Sequence, residues 1–326
     1  MYGYRSCFGI NGMPCFLPAV AHLNGETAGT FYYFKRFRQS GTGETNRQQN
    51  NGIQSAPGIP MRIIDFHTHL FPDDLASRVI EKLAVDAPTG RSFTDGTSGG
   101  LVGSMRRNGI ALSVALPIAT RKEHVTTINA AQAALDRTRL LPFGALHPQT
   151  EDIDTVIDFL VRHRIPGVKF HPEFQDFYID DPRYFSLYEA LSAAGIITVF
   201  HAGKDPGPFT SDHVLPPAIK KISADFPHLR LIAAHMGGWQ VWRQSYEELC
   251  GAPVYFDTSA IYGLLDRTLF MRMVHKHGSE RILFGSDSPW FDQGIAVKWI
   301  EGLPLGDHEK EMIFHGNAGR LLEGAR

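Results

Sequence analysis

From residue 61 onward, short runs of apolar and β-branched residues alternate with longer segments whose apolar positions recur every three or four residues. The short runs predict strands over 62–67, 111–117, 141–146, 167–170, 197–201, 229–235, 254–258 and 282–285. The segments between them, such as EHVTTINAAQAALDRT, EDIDTVIDFLVRHR and DRTLFMRMVHKHG, carry the helical period. Several begin at Asp or end at Gly, which are helix-boundary signals. Near-continuous apolar strands, each followed by a helix, predict a parallel sheet covered on both faces. Eight such units within 61–326 fit an α/β chain closed into a (β/α)8 TIM-type barrel, which typically takes about 250 residues. An open doubly wound sheet usually places a glycine-rich phosphate turn after its first strand, whereas here that position reads His67-Thr68-His69.

Residues 1–60 break the pattern. Gly, Asn, Gln, Ser and Thr dominate, no period is present, and the stretch closes on the turn-prone APGIP. This composition predicts a disordered leader or mis-assigned start, with Met61 as the native first residue and 61–326 as the barrel domain. The apolar stretch 13–21 ends in Ala19-Val20-Ala21, a small-residue cleavage pattern, but Pro14 and Pro18 interrupt it and a single basic residue precedes it. Export is therefore disfavoured and a cytoplasmic location expected. The aromatic-basic stretch FYYFKRFR at 31–38 could meet a membrane surface or RNA, yet isolated in a polar leader it reads as inert. No run reaches the 18 or so consecutive apolar residues of a membrane-spanning helix.

Composition narrows the function further. Among 326 residues, 32 basic and 34 acidic side chains nearly balance, so no electrostatic footprint marks nucleic acid or an anionic membrane as a partner. Three cysteines cannot build a disulfide framework. The anomaly is 15 histidines, and their positions carry the chemistry.

Along the first strand, the two-residue period turns Asp65, His67 and His69 to one face and Ile64, Phe66 and Thr68 to the other. Two imidazoles so spaced reach one ion, a suitable arrangement for a metal held by nitrogen. Other predicted strands end in GVKFHP, with Lys169 and His171, in FHAG, with His201, in AAHMGG, with His235, and in FGSDSPW, with Asp287. A barrel gathers these C-terminal strand ends on one rim, where barrel active sites are built.

On DFHTH, GVKFHP, FHAG, AAHMGG, FGSDSPW and the terminal IFHGNAGRLL, residues 61–326 resemble the amidohydrolase superfamily. Within it they resemble the amidohydrolase-related group that includes aminocarboxymuconate-semialdehyde decarboxylase and other non-oxidative decarboxylases. The resemblance implies a distorted metallo-dependent barrel with one divalent ion, zinc first and Mn2+ or Fe2+ as alternatives, held by His67, His69, His201 and Asp287. It implies catalytic roles for Asp287 and His235. Zinc would lower the pKa of bound water towards 7 and polarise a carbonyl, with Asp287 accepting a proton and His235 acting as acid/base or oxyanion partner. In binuclear members a strand-four lysine is carboxylated and bridges two metals. Lys169 precedes His171 on one face, as in mononuclear members, so a single metal is favoured, with Lys169 or His171 meeting an anionic substrate group. The plain structural alternative for Lys169 is an interior ion pair, for instance with Asp65. GVKFHP departs from the glutamate motif of TatD-type nucleases.

The leading expectation is hydrolysis of a small carbonyl compound such as an amide or lactone. The alternatives are decarboxylation of a small aromatic or unsaturated carboxylic acid at the same site, and metal binding without catalysis. Trp239, Lys204, Trp290 and Phe71 follow strand ends and are candidates to line a small-molecule pocket. A homodimer would match many relatives. The GTSGG at 96–100 fits a nucleophile-elbow pattern, but the polar residues before it are no buried strand, so Thr97 or Ser98 reads as a helix N-cap. Cys250 reads as a small buried hydrophobe, Asn317 as structural, and His163, His275 and His277 as solvated helix residues. A chain beginning at Met61 is expected to fold and bind metal as the full chain does, measured by metal content and thermal melting; lost solubility or metal binding contradicts the leader's dispensability.

Overall fold

The computed structural model describes residues 62–324, so the expectations for the leader lie outside the described residues. Two parallel sheets appear. The first orders β1 (Ile63–Thr68), β2 (Ile110–Ala115) and β3 (Leu140–Pro142). The second orders β4 (Gly144–Ala145), β5 (Gly167–Phe170), β6 (Ile197–Phe200), β7 (Leu231–Ala233), β8 (Tyr255–Asp257) and β9 (Ile282–Leu283). β3 and β4 are halves of one strand broken at Phe143, whose amide donates to the Ala115 carbonyl. At the other seam Phe66 N–H donates to Phe284 O at 2.7 Å and Asp287 N–H to His67 O at 2.9 Å. A parallel bridge also joins Thr68 to Ser288 there. With both seams joined and β3–β4 taken as one strand, the sheet closes into the eight-stranded barrel expected from the apolar runs.

Apolar side chains occupy both faces of the strands, which explains their near-continuous hydrophobicity. Val168, Phe170, Phe200, Leu231, Phe256 and Phe284 join the large cluster that includes helix-borne Leu160, Leu191, Ile219 and Phe270. The alternate positions Phe66, Val114, Ile197, Val199, Ile232 and Leu283 form a separate cluster. Because Val168 and Phe170 belong to the helix side, the strand period leaves Lys169 on the opposite, interior face. Helices start where side chains can replace missing intrahelical partners: Thr97, Asp152, Asp266 and Asp292 each accept a backbone N–H of the first turn. Thr97 is thus a cap, as its sequence context indicates. Asn317 is fully buried and donates to the carbonyls of Ser279 and Ile282, each at 2.7 Å, tying the terminal helix Asn317–Glu323 to the approach to β9. Among the described residues no helix is long and apolar enough to cross a membrane.

Two peripheral expectations divide. His163 and His275 are exposed, but His277 is 1 % exposed, which corrects its reading as solvated. Its ring stacks on Phe256 with centroids 3.9 Å apart. Nε2–H donates to Val254 O at 3.0 Å and Nδ1 accepts the Gly251 N–H at 3.1 Å, so the neutral ring is fully paired. A second ring proton would break the Gly251 bond. Cys250 is buried, and burial pushes its thiol up to about 12, as suits a small hydrophobe.

Burial holds the His277 pKa down at about 4. Above pH 6.5 neither folded nor unfolded chain protonates this ring; between 6.5 and 4 the unfolded chain does and the folded chain does not, so stability falls as pH falls. The expected loss across that window is about 3 kcal/mol. Comparing wild type with His277→Gln by denaturant unfolding at pH 7.5 and 4.5 checks it, since the variant should show a shallower pH dependence; identical slopes contradict it.

Candidate active site

The rim assembles its polar side chains through backbone turns that ordinary strands do not make. In β1, His67 lies within the irregular register between Asp65 and Thr68, and His69 follows the strand's end. His235 and Met236, just beyond β7, have φ of 57° and 56°, and Asp287 has φ 69°. Left-handed backbone at non-glycine residues is costly and is found where a side chain must be aimed. Asp287 is held in that turn by its amide bond to His67 O. These turns also end the pairing early, so β7 stops at Ala233 although apolar residues predict strand through 235.

His67, His69 and Asp287 converge. The Nε2 atoms of His67 and His69 lie 3.4 and 3.3 Å from Asp287 Oδ1. Each imidazole has its other nitrogen engaged: His67 Nδ1 donates to Asp257 Oδ2 at 2.8 Å, and His69 Nδ1 donates to Leu116 O at 2.8 Å. A carbonyl can only accept, so a neutral His69 carries its proton on Nδ1 and leaves a lone pair on Nε2. Asp257 imposes the same tautomer on His67, whose pKa is held well below the usual range by burial, with Lys169 adding to the effect. His67 Nε2 is buried and has no hydrogen-bond partner among the described residues. Two imidazole lone pairs and a carboxylate oxygen thus face one point, an arrangement that a divalent cation satisfies. The donor set therefore fits the expected ion.

His201 stands apart from this triad. Its Nδ1 is 3.1 Å from His235 Nε2, its Nε2 is 2.9 Å from the Lys204 carbonyl, and its ring stacks on His171 at 4.2 Å. With His171 and Asp205 it forms another group of converging ligand atoms, and His67, His235 and Asp257 form a third. His235 is anchored on the other side, with Nδ1 at 2.7 Å from Ser259 Oγ and its amide donating to Asp257 Oδ1 at 3.0 Å. Burial lowers the pKa of His171, His201 and His235 well below the usual histidine range. Burial also raises the Asp287 carboxyl, against His69 and Lys169.

Lys169 is 1 % exposed, and its Nζ has no hydrogen-bond partner among the described residues. Burial pulls its pKa down to about 8, opposed by the charges of Asp257, Asp287, Asp205 and Glu173. The suggested pair with Asp65 does not form. Asp65 instead accepts from Ser286 N–H at 2.8 Å, Ser286 Oγ at 2.6 Å and Gln293 Nε2 at 2.7 Å, and burial raises its pKa to about 6. Trp239 is 4 % exposed, packed in the large core cluster with its indole N–H on Ala260 O. It forms wall: Gly203, at φ 92°, lies so close that a Cβ would meet Trp239 backbone at 2.2 Å. The Lys204 side chain is exposed, and Trp290 and Phe71 are half-buried.

Sequence reading missed Asp257, Ser259, Asp205, Glu173 and His213. Asp257 ends β8 on the same rim as the other strand-end residues, and the strand-end rule applied to 254–258 would have found it. Ser259 follows two residues later on the same turn.

A closed parallel barrel that gathers imidazoles and carboxylates at its strand ends defines the class of metal-binding barrel enzymes. The family model described as Amidohydrolase matches residues 64–324, and the chain belongs to that family. No curated protein matches the chain. Similar solved structures include 5-carboxyvanillate decarboxylase from Sphingomonas paucimobilis, 18 % identical with a TM-score of 0.62, covering 81 % of this chain and 99 % of that one. Dihydroxybenzoic acid decarboxylase from Polaromonas sp. JS666, with bound manganese and the inhibitor 2-nitroresorcinol, is 16 % identical with a TM-score of 0.62, covering 81 % and 98 %. 2,6-Dihydroxybenzoate decarboxylase from Rhizobium is 17 % identical with a TM-score of 0.59, covering 81 % and 99 %. At these identities the likeness establishes the shared barrel fold.

Removing the Asp257 carboxylate charge should loosen the tautomer and orientation of His67. Asp257→Asn is expected to weaken divalent-metal affinity by about 10–100-fold, measured by competition with a chelating dye. Unchanged affinity contradicts the orienting role.

Proposed function

We propose that this protein is a metal-dependent carboxy-lyase that removes carbon dioxide, without net oxidation, from a small aromatic or unsaturated carboxylic acid. The observation that carries this reading is Lys169: a buried ammonium, unpaired among the described residues, on the barrel's interior face and in the field of the rim carboxylates. A buried cation without a hydrogen-bonded counter-ion is a receptor for an anionic group. A carboxylate substrate supplies that group. The expected hydrolysis of a neutral amide or lactone would use the same triad but would leave Lys169 unpaired. The barrel's likeness to decarboxylases acting on carboxyvanillate and dihydroxybenzoates supports the same choice.

His67, His69 and Asp287 would hold one divalent ion; His201, expected as a further ligand, faces His235 and the Lys204 carbonyl instead. Imidazole and carboxylate donors suit zinc, manganese or iron(II), and manganese is the ion bound in the Polaromonas enzyme. The ion would supply Lewis acidity, polarising a substrate oxygen near the reacting carbon. Lys169 binds the substrate anion, with His171 two residues on as its neighbour. As the C–C bond to the carboxylate breaks, its electron pair stays on carbon, and a proton must arrive there to form the C–H bond. Asp287, at the point where the two imidazoles converge, is the residue placed to pass that proton to carbon. His235, neutral and fixed between Ser259 and His201, orients the reacting group. Trp239 and the exposed Lys204 belong to the wall and mouth of the same site.

The purified full chain, loaded with Mn2+ or Zn2+, is to be assayed against hydroxybenzoates, an unsaturated carboxylic acid, amides and lactones. Carbon dioxide release from an acid, abolished in Asp287→Asn and with KM raised about tenfold or more in Lys169→Met, is the expected outcome. Amide or lactone cleavage without carbon dioxide release overturns the reading.

A further inference from the structure

Away from the His67–His69–Asp287 triad, five side chains run from solvent into the barrel in an order that alternates carboxylate and imidazole. Asp176, its side chain 96 % exposed, places Oδ1 3.3 Å from His213 Nε2. His213 Nδ1 lies 3.9 Å from Glu173 Oε1, and Glu173 Oε2 lies 3.9 Å from His171 Nδ1. His171 Nε2 then reaches Asp205 Oδ2 at 3.2 Å, where the His171 ring stacks on His201. Each of the three middle members faces its two neighbours with two different atoms. That is the topology of a relay, in which one proton arrives on one atom while another leaves from the second.

The unpaired atoms support this order. His213 Nδ1, Glu173 Oε2 and His171 Nδ1 are all buried and all without hydrogen-bond partners among the described residues. They are three of the four atoms that border the two 3.9 Å gaps; the fourth, Glu173 Oε1, accepts the His213 N–H. Buried polar atoms are rarely left unpaired, and three in one file call for a role. Glu173 is held between the two rings by the His213 amide, which donates to Oε1 at 2.9 Å.

We propose that Asp176, His213, Glu173 and His171 form the inlet that carries protons from solvent to the barrel interior. The inference rests on the carboxy-lyase reading: replacing a carboxylate by hydrogen consumes one proton per carbon dioxide released, and the groups around the triad are almost wholly buried. Glu173 suits the work, because burial, reinforced by Asp205 and Asp212, raises its carboxyl to about 7. His213, facing Asp176 with Nε2 and Glu173 with Nδ1, takes a proton on one ring nitrogen as it releases one from the other, and passes it to Glu173. His171 takes a proton on Nδ1 as it releases one from Nε2, which avoids the imidazolium that burial and Lys169 oppose.

The test compares the metal-loaded full chain with Glu173→Gln and His213→Asn. Either substitution should lower kcat for carbon dioxide release by about tenfold or more with KM little changed. Added imidazole buffer should restore kcat in the variants and leave wild type unmoved. In 15N-histidine-labelled protein, exchange of the His171 ring N–H with solvent should slow by at least about tenfold in Glu173→Gln, while the buried His277 N–H, on Val254 O, keeps its rate. Slowed exchange in a protein that releases no carbon dioxide would keep the inlet and refute the reaction. Carbon dioxide release with kcat and exchange indifferent to both substitutions would overturn the inlet, as would a loss of kcat that buffer does not restore in a variant whose exchange is unchanged.

Discussion

A neutral imidazole has one proton for two nitrogens, and in this barrel the surroundings decide where it sits. Asp257 accepts a hydrogen bond from the Nδ1–H of His67, and the Leu116 carbonyl accepts one from that of His69. Both Nε2 lone pairs are thereby turned towards Asp287. Everything functional depends on that assignment. Reverse either tautomer and the site would present an N–H to the position where a cation is needed. The left-handed turns at His235 and Asp287, and the seam bonds that lock Asp287 to β1, are the backbone cost of holding this convergence.

Much of the scaffold was legible because a barrel strand is a simple object: an apolar run buried on both faces, ending at a common rim. The strand-end residues His67, His201, His235 and Asp287 were readable by that rule. Their separation into a His67–His69–Asp287 triad and a His171–His201–Asp205 group was not, since side-chain direction past a strand end depends on φ values that composition does not encode. Asp257 was missed because its partner lies 190 residues away and no local spacing links them. His277 is a different failure. Phe270, Met273, Val274 and His277 share one helical face, so the period did place this histidine inward. A polar residue reads as solvated despite that period, because the two bonds that let a neutral imidazole be buried come from Val254 and Gly251, well away in sequence.

Charge explains the site's interior. Lys169 interacts with the carboxylates of Asp257, Asp287, Asp205 and Glu173, and its field reaches the buried imidazoles of His67, His171, His201 and His235. Burial keeps the rings neutral, with Lys169 adding to the effect, which favours metal coordination, and the lysine offers a binding charge to a substrate anion. Family membership sets the architecture and the metal-binding class. The choice between hydrolysis and decarboxylation rests on what that lysine is for.

The most direct test of the central claim is X-ray absorption spectroscopy on the full chain loaded with zinc or manganese, combined with elemental analysis. One ion per chain, in a shell of imidazole nitrogen and carboxylate oxygen that changes in His67→Ala, is the expected result. A folded protein that takes up no divalent ion, or one whose metal shell is untouched by loss of His67, would contradict the convergence of His67, His69 and Asp287 on a cation.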